Sequence, residues 1–89
     1  MAKFLVIVPH RPEHCLEAIE ETIGMGPSFQ IGYEWGCLVG DHTGYAYVEA
    51  SGAQEAIEDF VPWELRSRAR AHRLATIRVD ELYRMKNDR

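Results

Sequence analysis

Four side chains able to bind a metal stand near the ends of apolar or alternating segments of the chain: His10, Cys15, Cys37 and His42. Imidazole nitrogen and thiolate sulfur together favour Zn, Ni or Cu over Mg or Ca, which prefer oxygen ligands. The spacing alone is not a metal motif, because the loop at Pro12 keeps His10 and His14 from sharing one helix face. A site therefore requires a fold that brings the segment near residue 10 to the segment near residue 40.

Each of these residues also has an ordinary structural interpretation. Cys15 falls on the apolar side of a predicted helix, where a small buried side chain is common, although its first-turn position also lies in the positive field of the helix N-terminus. Cys37 alternates in phase with Trp35, which favours a core position. His42 lies in a predicted turn, where a histidine is usually solvated. Both interpretations, metal ligand and structural residue, stay open on the sequence alone.

Aromatic and basic residues supply a second set of candidates. Two predicted strands carry aromatic residues at alternate positions, namely Tyr33, Trp35, Tyr45 and Tyr47. We expect these to share one sheet face, either as a dimer core or as the walls of a ligand cavity. The run RSRARAHR is basic, and Arg70 within it is a candidate for binding a carboxylate or phosphate. Together with His10, these residues form the predicted ligand-binding set. No nucleophile–base triad, glycine-rich phosphate loop or paired acid site is identifiable.

The first half of the chain predicts two strands and a helix. Residues 3–8 (KFLVIV) are short, branched and apolar, which is typical of a strand covered on both faces. Residues 12–23 have Leu16, Ile19 and Ile23 at helical spacing. Residues 30–39 alternate as a strand does and lead into the turn signal GDHTG.

The second half predicts a strand, a helix and a final strand. Residues 45–50 (YAYVEA) alternate and form the return strand of a hairpin. Ser51 and Gln54 have the spacing of a capping box and predict a helix start. The apolar positions of this helix are Ala53, Ala56, Ile57, Phe60 and Val61. Residues 72–79 (HRLATIRV) predict the fourth strand, and residues 81–89 a polar tail.

The composition limits the classes of function. The chain has 89 residues, 46% hydrophobic and 27% charged, which fits a single domain over residues 1–89 whose modest core favours a homodimer. Its formal charge of −4 disfavours nucleic-acid binding, which needs a net basic face. The apolar run before Pro9 is too short for a membrane span or a signal peptide, so we expect a cytoplasmic protein with both cysteines reduced.

The element order is β-α-β-β-α-β, the split βαβ arrangement. It predicts an α+β fold with an antiparallel four-stranded sheet in the order 4-1-3-2 and two helices on one face. The pattern over residues 3–80 resembles the ferredoxin-like fold and, more narrowly, the small stand-alone chains of the dimeric α+β barrel superfamily, in which two sheets pack face to face. That resemblance implies a homodimer. The superfamily includes cofactor-free monooxygenases, isomerases and haem enzymes, and small ferredoxin-like chains include nickel binders.

This topology brings the two candidate segments together. The first and second strands run parallel with the third between them, so the end of strand one, the start of helix one and the hairpin turn lie at one edge of the sheet. The two strand axes are then about 9 to 10 Å apart. Side chains of His and Cys can bridge that distance around a metal with bonds of about 2.0 to 2.3 Å. The predicted metal ligands are His10, Cys15, Cys37 and His42.

Three functions are consistent with the sequence. The favoured hypothesis is a small homodimer that binds a transition metal (Zn, Ni or Cu) or a small molecule at this rim. The alternative is a cofactor-free enzyme acting on a small aromatic or carbonyl compound, with His10 or His42 as acid or base and Trp35, Tyr45 and Tyr47 as cavity walls. The third is a structural or regulatory dimer, joined through the aromatic sheet face, with no site.

Overall fold

The structure is a computed structural model that describes residues 1–25 and 32–88. Its strands are β1 (Ala2–Pro9), β2 (Tyr33–Trp35), β3 (Thr43–Ala50) and β4 (Arg70–Leu74). The α-helices in these ranges are α1 (Cys15–Gly24), α2 (Ala53–Phe60) and α3 (Val79–Asn87). Short 3-10 turns occupy Pro12–His14, Cys37–Val39 and Trp63–Arg68.

The strands form one antiparallel sheet in the order β2-β3-β1-β4. The α+β class and the predicted strand order, read from the other edge, are therefore confirmed. The central pair β1 and β3 is in register from Ala2 opposite Ala50 to Pro9 opposite Thr43. The edge strands are short, because β2 pairs over three residues and β4 over five.

The core lies on one face of this sheet. Alternate residues of β1 and β3 point into it, as the period of two in a strand requires. The buried apolar residues of the core are Phe4, Val6, Val8, Tyr33, Ala46, Val48, Ala50, Ala56 and Val61. The predicted apolar side of α2 is confirmed at Ala56, which is buried, and at Ile57 and Phe60, which pack against the core. The small residues of β3 thus form the covered face, as expected from their size.

The predicted second strand is too long at its C-terminal end. Strand β2 stops at Trp35, and Cys37–Val39 form a 3-10 turn instead of continuing the alternation. Residues 30 and 31 of the predicted strand lie outside the described residues. The Gly36 carbonyl accepts hydrogen bonds from the backbone N–H groups of Val39 and Asp41, and the strand ends four residues earlier than predicted.

The end of the chain also differs from prediction. Strand β4 covers Arg70–Leu74 rather than residues 72–79, and the predicted polar tail is mostly the helix α3. Asp80 and Glu81 lie in the first turn of α3 and Arg84 and Lys86 in its last turn, which complements the helix dipole. Arg78 pairs with Glu81 at 2.8 Å and reinforces the helix start.

Two details of the predicted helices are wrong. In α1 the buried residues are Ala18 and Thr22, whereas Leu16 is 69% exposed and Ile23 41% exposed. The capping box of Ser51 does not form, because Gly52 is the N-cap of α2 and no side chain caps the helix. In the described ranges, no helix combines the length and apolar character needed to cross a membrane.

Candidate metal centre

The end of β1 and the start of α1 position two of the cluster residues. His10 follows the last residue of β1, is 7% exposed and donates its backbone N–H to the His42 carbonyl at 3.0 Å. The extended backbone of Arg11 and the 3-10 turn beginning at Pro12 then reverse the chain. Cys15 is the first residue of α1, so its side chain returns to the side on which His10 lies.

The connection between β2 and β3 positions the other two. Cys37 begins the 3-10 turn, and Gly40 closes it with a φ of 87°, a left-handed conformation that favours glycine. The Gly36 N–H donates to the Thr43 carbonyl at 3.0 Å, and the Asp41 N–H donates to the Gly36 carbonyl at 2.9 Å. These bonds fold the connection back over itself and hold Cys37 and His42 on the side of His10.

The four side chains meet at one point. The Nε2 atom of His10 lies 3.1 Å from the Cys15 sulfur and 3.2 Å from the Cys37 sulfur, and the Cys15 sulfur lies 2.9 Å from His42 Nδ1. All the potential ligand atoms of the set lie within 4.8 Å of one another. The prediction that His10, Cys15, Cys37 and His42 come together is therefore confirmed. His14 is exposed and is not part of this cluster.

These separations are close to those of a tetrahedral metal site. Metal bonds of about 2.0 Å to nitrogen and 2.3 Å to sulfur place the two atom types about 3.5 Å apart at a tetrahedral angle. The three N···S contacts, at 2.9 to 3.2 Å, are shorter by a few tenths of an ångström. The longest separation between two ligand atoms of the set is 4.8 Å, about 1 Å more than in a tetrahedral site, so side-chain rotations must shorten it when a metal binds.

The protonation states of His10 and Cys37 are those expected of a metal-free site in which a cation displaces thiol protons. Burial lowers the pKa of the His10 imidazole, which keeps the ring neutral at pH 7. Burial also raises the pKa of the Cys37 thiol to about 11, and the neighbouring Cys15 adds to this increase. A neutral imidazole and a thiol proton that a cation can displace are the starting point for ligation.

His10 also has a free second nitrogen. Its Nδ1 atom is buried and has no hydrogen-bond partner among the described residues. The Val8 carbonyl acts on the ring charge and tends to raise the pKa of His10 against the larger effect of burial. A histidine bound to a metal through Nε2 commonly donates its Nδ1–H to such a carbonyl, which fixes the ring orientation.

Aromatic rings support the cluster from the core side. The centroids of His10 and Trp35 are 5.8 Å apart, and Trp35 stacks on Tyr33 at 5.5 Å. Gly44 makes room for the indole, because a Cβ atom there would lie 2.7 Å from Trp35 Cζ3. Burial raises the pKa of Tyr33 to about 12, and its hydroxyl donates to the Phe60 carbonyl at 2.6 Å.

Asp41 and Tyr45 lie beside the cluster and form a hydrogen bond that the sequence interpretation did not identify. The Tyr45 hydroxyl donates to Asp41 Oδ2 at 2.6 Å. This hydrogen bond has the largest effect on the pKa of Asp41 and lowers it below the usual value, and a hydrogen bond from the Thr43 side chain has a smaller effect in the same direction. The bond fixes the residue that precedes His42. An aspartate in a turn that stabilises its own loop is a recognisable signal, which was available in the sequence GDHTGY.

The predicted aromatic face does not exist as one surface. Tyr33 pairs with Ala46 and Trp35 with Gly44, so both lie on the covered face of the sheet. Tyr45 and Tyr47 lie on the opposite face, where their cross-strand partners in β1 are Ile7 and Leu5. The prediction that all four tyrosine and tryptophan side chains share a face is wrong, because the connection after β2 is longer than a tight turn and shifts the register by one residue.

The remaining candidates lie apart from the cluster. Arg70 is exposed at the start of β4, opposite Ile7 in β1. A pocket of about 420 Å³ lies where β3 continues beyond its pairing with β2, and its walls include Tyr33, Tyr47 and Phe60. None of the four cluster residues lines this pocket.

Comparisons of the chain with protein-family models, with curated proteins and with solved structures give no match.

Proposed function

We propose that this protein binds one transition-metal ion per chain through His10, Cys15, Cys37 and His42, with Zn²⁺ as the best-fitting ion. The observation that carries the proposal is the convergence of two imidazoles and two thiols, from segments far apart in sequence, within 4.8 Å. Cysteines that served only as packing residues would not need to face two histidine nitrogens at hydrogen-bond distance.

The donor set selects the ion. Two nitrogen and two sulfur ligands in a near-tetrahedral arrangement are typical of Zn²⁺, whereas Ni²⁺ and Cu²⁺ favour planar arrangements. Two thiolates neutralise a divalent cation, so the metal-bound site carries no net charge and its partial burial is not penalised. The site needs both thiols reduced, as they would be in the cytoplasmic location expected from the sequence.

We further propose that the chain has the ferredoxin-like arrangement, in which the site sits at the rim of the sheet. The strand order β2-β3-β1-β4 and the β-α-β-β-α-β sequence of elements support this assignment. In such a fold the rim is formed by connections, which tolerate the sharp turns that metal ligands need.

Metal analysis of the purified protein, followed by titration with Zn²⁺ and Co²⁺, tests the proposal. We expect one ion per chain and, with Co²⁺, a tetrahedral ligand-field spectrum with a thiolate-to-metal charge-transfer band. The variants Cys15→Ser, Cys37→Ser and His42→Ala should each lose most of the metal affinity while the far-ultraviolet circular dichroism spectrum is retained. A ligand concentration of about 100 times Kd should stabilise the wild type by about 2.7 kcal/mol.

His14→Ala is the matched control. His14 precedes Cys15 directly and is exposed, but it lies outside the cluster. It should bind the metal as the wild type does. A wild type that binds no ion stoichiometrically, or cluster variants that bind it as tightly as His14→Ala does, would overturn the proposal.

A further inference from the structure

The C-terminal helix α3 carries apolar side chains that no described part of its own chain covers. Val79 is 69% exposed, Leu82 47%, Tyr83 60% and Met85 54%. These residues recur three and four positions apart and form one apolar side of the helix. The chain is accordingly elongated, with a radius of gyration of 15.6 Å, against about 12 Å for a compact chain of this length.

The sheet has a matching uncovered surface. On the face opposite the core, Leu5 pairs with Tyr47 and Ile7 with Tyr45. Tyr47 is 69% exposed and the other three are only partly buried, so no described element covers the centre of this open face. A patch of two aliphatic and two aromatic side chains at the centre of a sheet is typical of an interaction surface.

The helix and the open face agree in size. Nine helical residues span about 13.5 Å at a rise of 1.5 Å per residue. The axes of the two edge strands of a four-stranded sheet lie about 14 Å apart. A helix laid across the strands would therefore reach from one edge of the sheet to the other.

The charges agree as well. The helix is acidic in its first turn, at Asp80 and Glu81, and basic in its last turn, at Arg84 and Lys86. The open face is acidic towards β2 and basic towards β4. Its acidic residues are Glu34 on β2 and Glu49 on β3, and its basic or titratable ones are Lys3 on β1 and Arg70 and His72 on β4. A helix with its N-terminus over β4 and its C-terminus over β2 places its acidic end towards the basic side of the face and its basic end towards the acidic side.

We propose that α3 of one copy of the chain packs across the open face of a second copy, and reciprocally, to form a homodimer with exchanged C-terminal helices. In the structure α3 makes few contacts with the other described elements, and the longest dimension is 49 Å. A two-fold symmetric dimer uses the same contact twice, so it buries both apolar surfaces of both chains. This differs from the face-to-face sheet packing expected from the sequence, because the helix replaces the partner's sheet.

Size-exclusion chromatography with light scattering and a mixing experiment test this dimer. The wild type should be a dimer at micromolar concentration, and Leu82→Asp on the helix and Tyr47→Asp on the open face should each be monomeric. Leu16→Asp, which replaces an exposed leucine of α1, should remain dimeric. Tyr47 is 69% exposed and Leu82 is 47% exposed, so Tyr47→Asp and Leu82→Asp should both fold. Circular dichroism verifies that they do. Tyr83→Asp provides a second variant of the helix.

Mixing the two monomeric variants identifies the occupant. In a mixed pair, the intact helix of Tyr47→Asp can pack on the intact face of Leu82→Asp, so one of the two contacts is restored and dimer should reappear in part. A helix that packed on its own sheet would give no such recovery. A dimer formed by two sheets would leave Leu82→Asp dimeric. Either of these results, or a monomeric wild type, would overturn the proposal.

Discussion

The most informative single change is Gly36→Ala, because it disturbs the metal cluster without altering any ligand. A Cβ atom on Gly36 would lie 2.5 Å from the Asp41 carbonyl oxygen and 2.8 Å from the Asp41 Cβ atom. The first of these is a backbone atom, so it cannot rotate out of the way. The Asp41 N–H donates to the Gly36 carbonyl, which ties the two residues closely together.

The size of the effect follows from these distances. Ordinary contact begins near 3.4 Å, so the Asp41 backbone must move by about 0.9 Å. His42 is the next residue and moves with it, whereas metal–ligand bonds tolerate about 0.2 Å. We therefore expect His42 to be lost as a ligand and the affinity to fall by at least the roughly 10- to 100-fold typical of disturbed supporting residues. Overpacking should also lower the metal-free unfolding free energy by about 1 to 3 kcal/mol.

The assay is competition for Zn²⁺ against a chromophoric chelator, with the Co²⁺ spectrum as a check on the ligand set. Thermal denaturation in the presence of a strong chelator measures the stability of the metal-free form. Gly24→Ala is the matched control, because a Cβ there meets no atom within 4 Å. If Gly36→Ala binds Zn²⁺ with wild-type affinity and gives the wild-type Co²⁺ spectrum, the assignment of His42 through this connection is refuted.

Three further outcomes are expected. In Gly44→Ala the new Cβ atom would lie 2.7 Å from the Trp35 ring, so the ring must shift. The unfolding free energy should fall by about 1 to 3 kcal/mol, and the tryptophan fluorescence maximum should change. An unchanged denaturation curve would contradict the packing of Trp35 against Gly44. Zn²⁺ binding at pH 7 should release at least one proton, because the Cys37 thiol has a pKa of about 11, and the affinity for Zn²⁺ should rise with pH. Titration with a pH indicator in weak buffer measures the number of protons released. Release of no proton would exclude Cys37 as a ligand. The folded-state pKa of Tyr33 is about 12, above its ordinary value of 10.0, so the stabilisation by the neutral hydroxyl is present below pH 10 and is lost towards pH 12. Chemical denaturation should therefore show that Tyr33→Phe loses less stability than the wild type between pH 10 and pH 12. Equal losses in the two proteins would contradict the burial of the hydroxyl.

The clustering of His10, Cys15, Cys37 and His42 could be predicted from the sequence because it depends on topology rather than on side-chain detail. Once β1 and β2 are parallel and separated by β3, residues 10 and 42 must lie at the same edge. In the structure the His10 N–H also donates to the His42 carbonyl, and this hydrogen bond holds the two residues next to each other. Cys37 was ambiguous in the sequence, since alternation with Trp35 suggested the core. The turn that begins directly after Gly36 redirects its thiol to the cluster.

The face of the aromatic residues could not be predicted in the same way. A strand's side chains change face with a shift of one residue, and the register depends on the length of the connection. The sequence GDHTG suggested a short turn, but the connection extends from Gly36 to His42. Its added residues place Trp35 opposite Gly44 and separate it from Tyr45 and Tyr47.

The helix α3 was missed for a different reason. Its composition is mostly polar, so the average hydrophobicity of the segment predicts an exposed tail. The spacing of Val79, Leu82 and Tyr83 and the placement of acidic residues before basic ones both indicate a helix. Its apolar side is exposed among the described residues, so a core predicted for a single chain gives no reason to expect a helix there.

The two short edge strands also affect how the protein behaves at high concentration. An exposed edge offers unpaired N–H and C=O groups to any other strand, which is the usual start of aggregation through sheet extension. Here β2 is three residues long, and β4 carries Arg70, His72 and Arg73 within its five residues. An incoming strand would find too little backbone to pair with at one edge and two charged arginines, Arg70 and Arg73, at the other. Ordered growth of the sheet into filaments is therefore disfavoured.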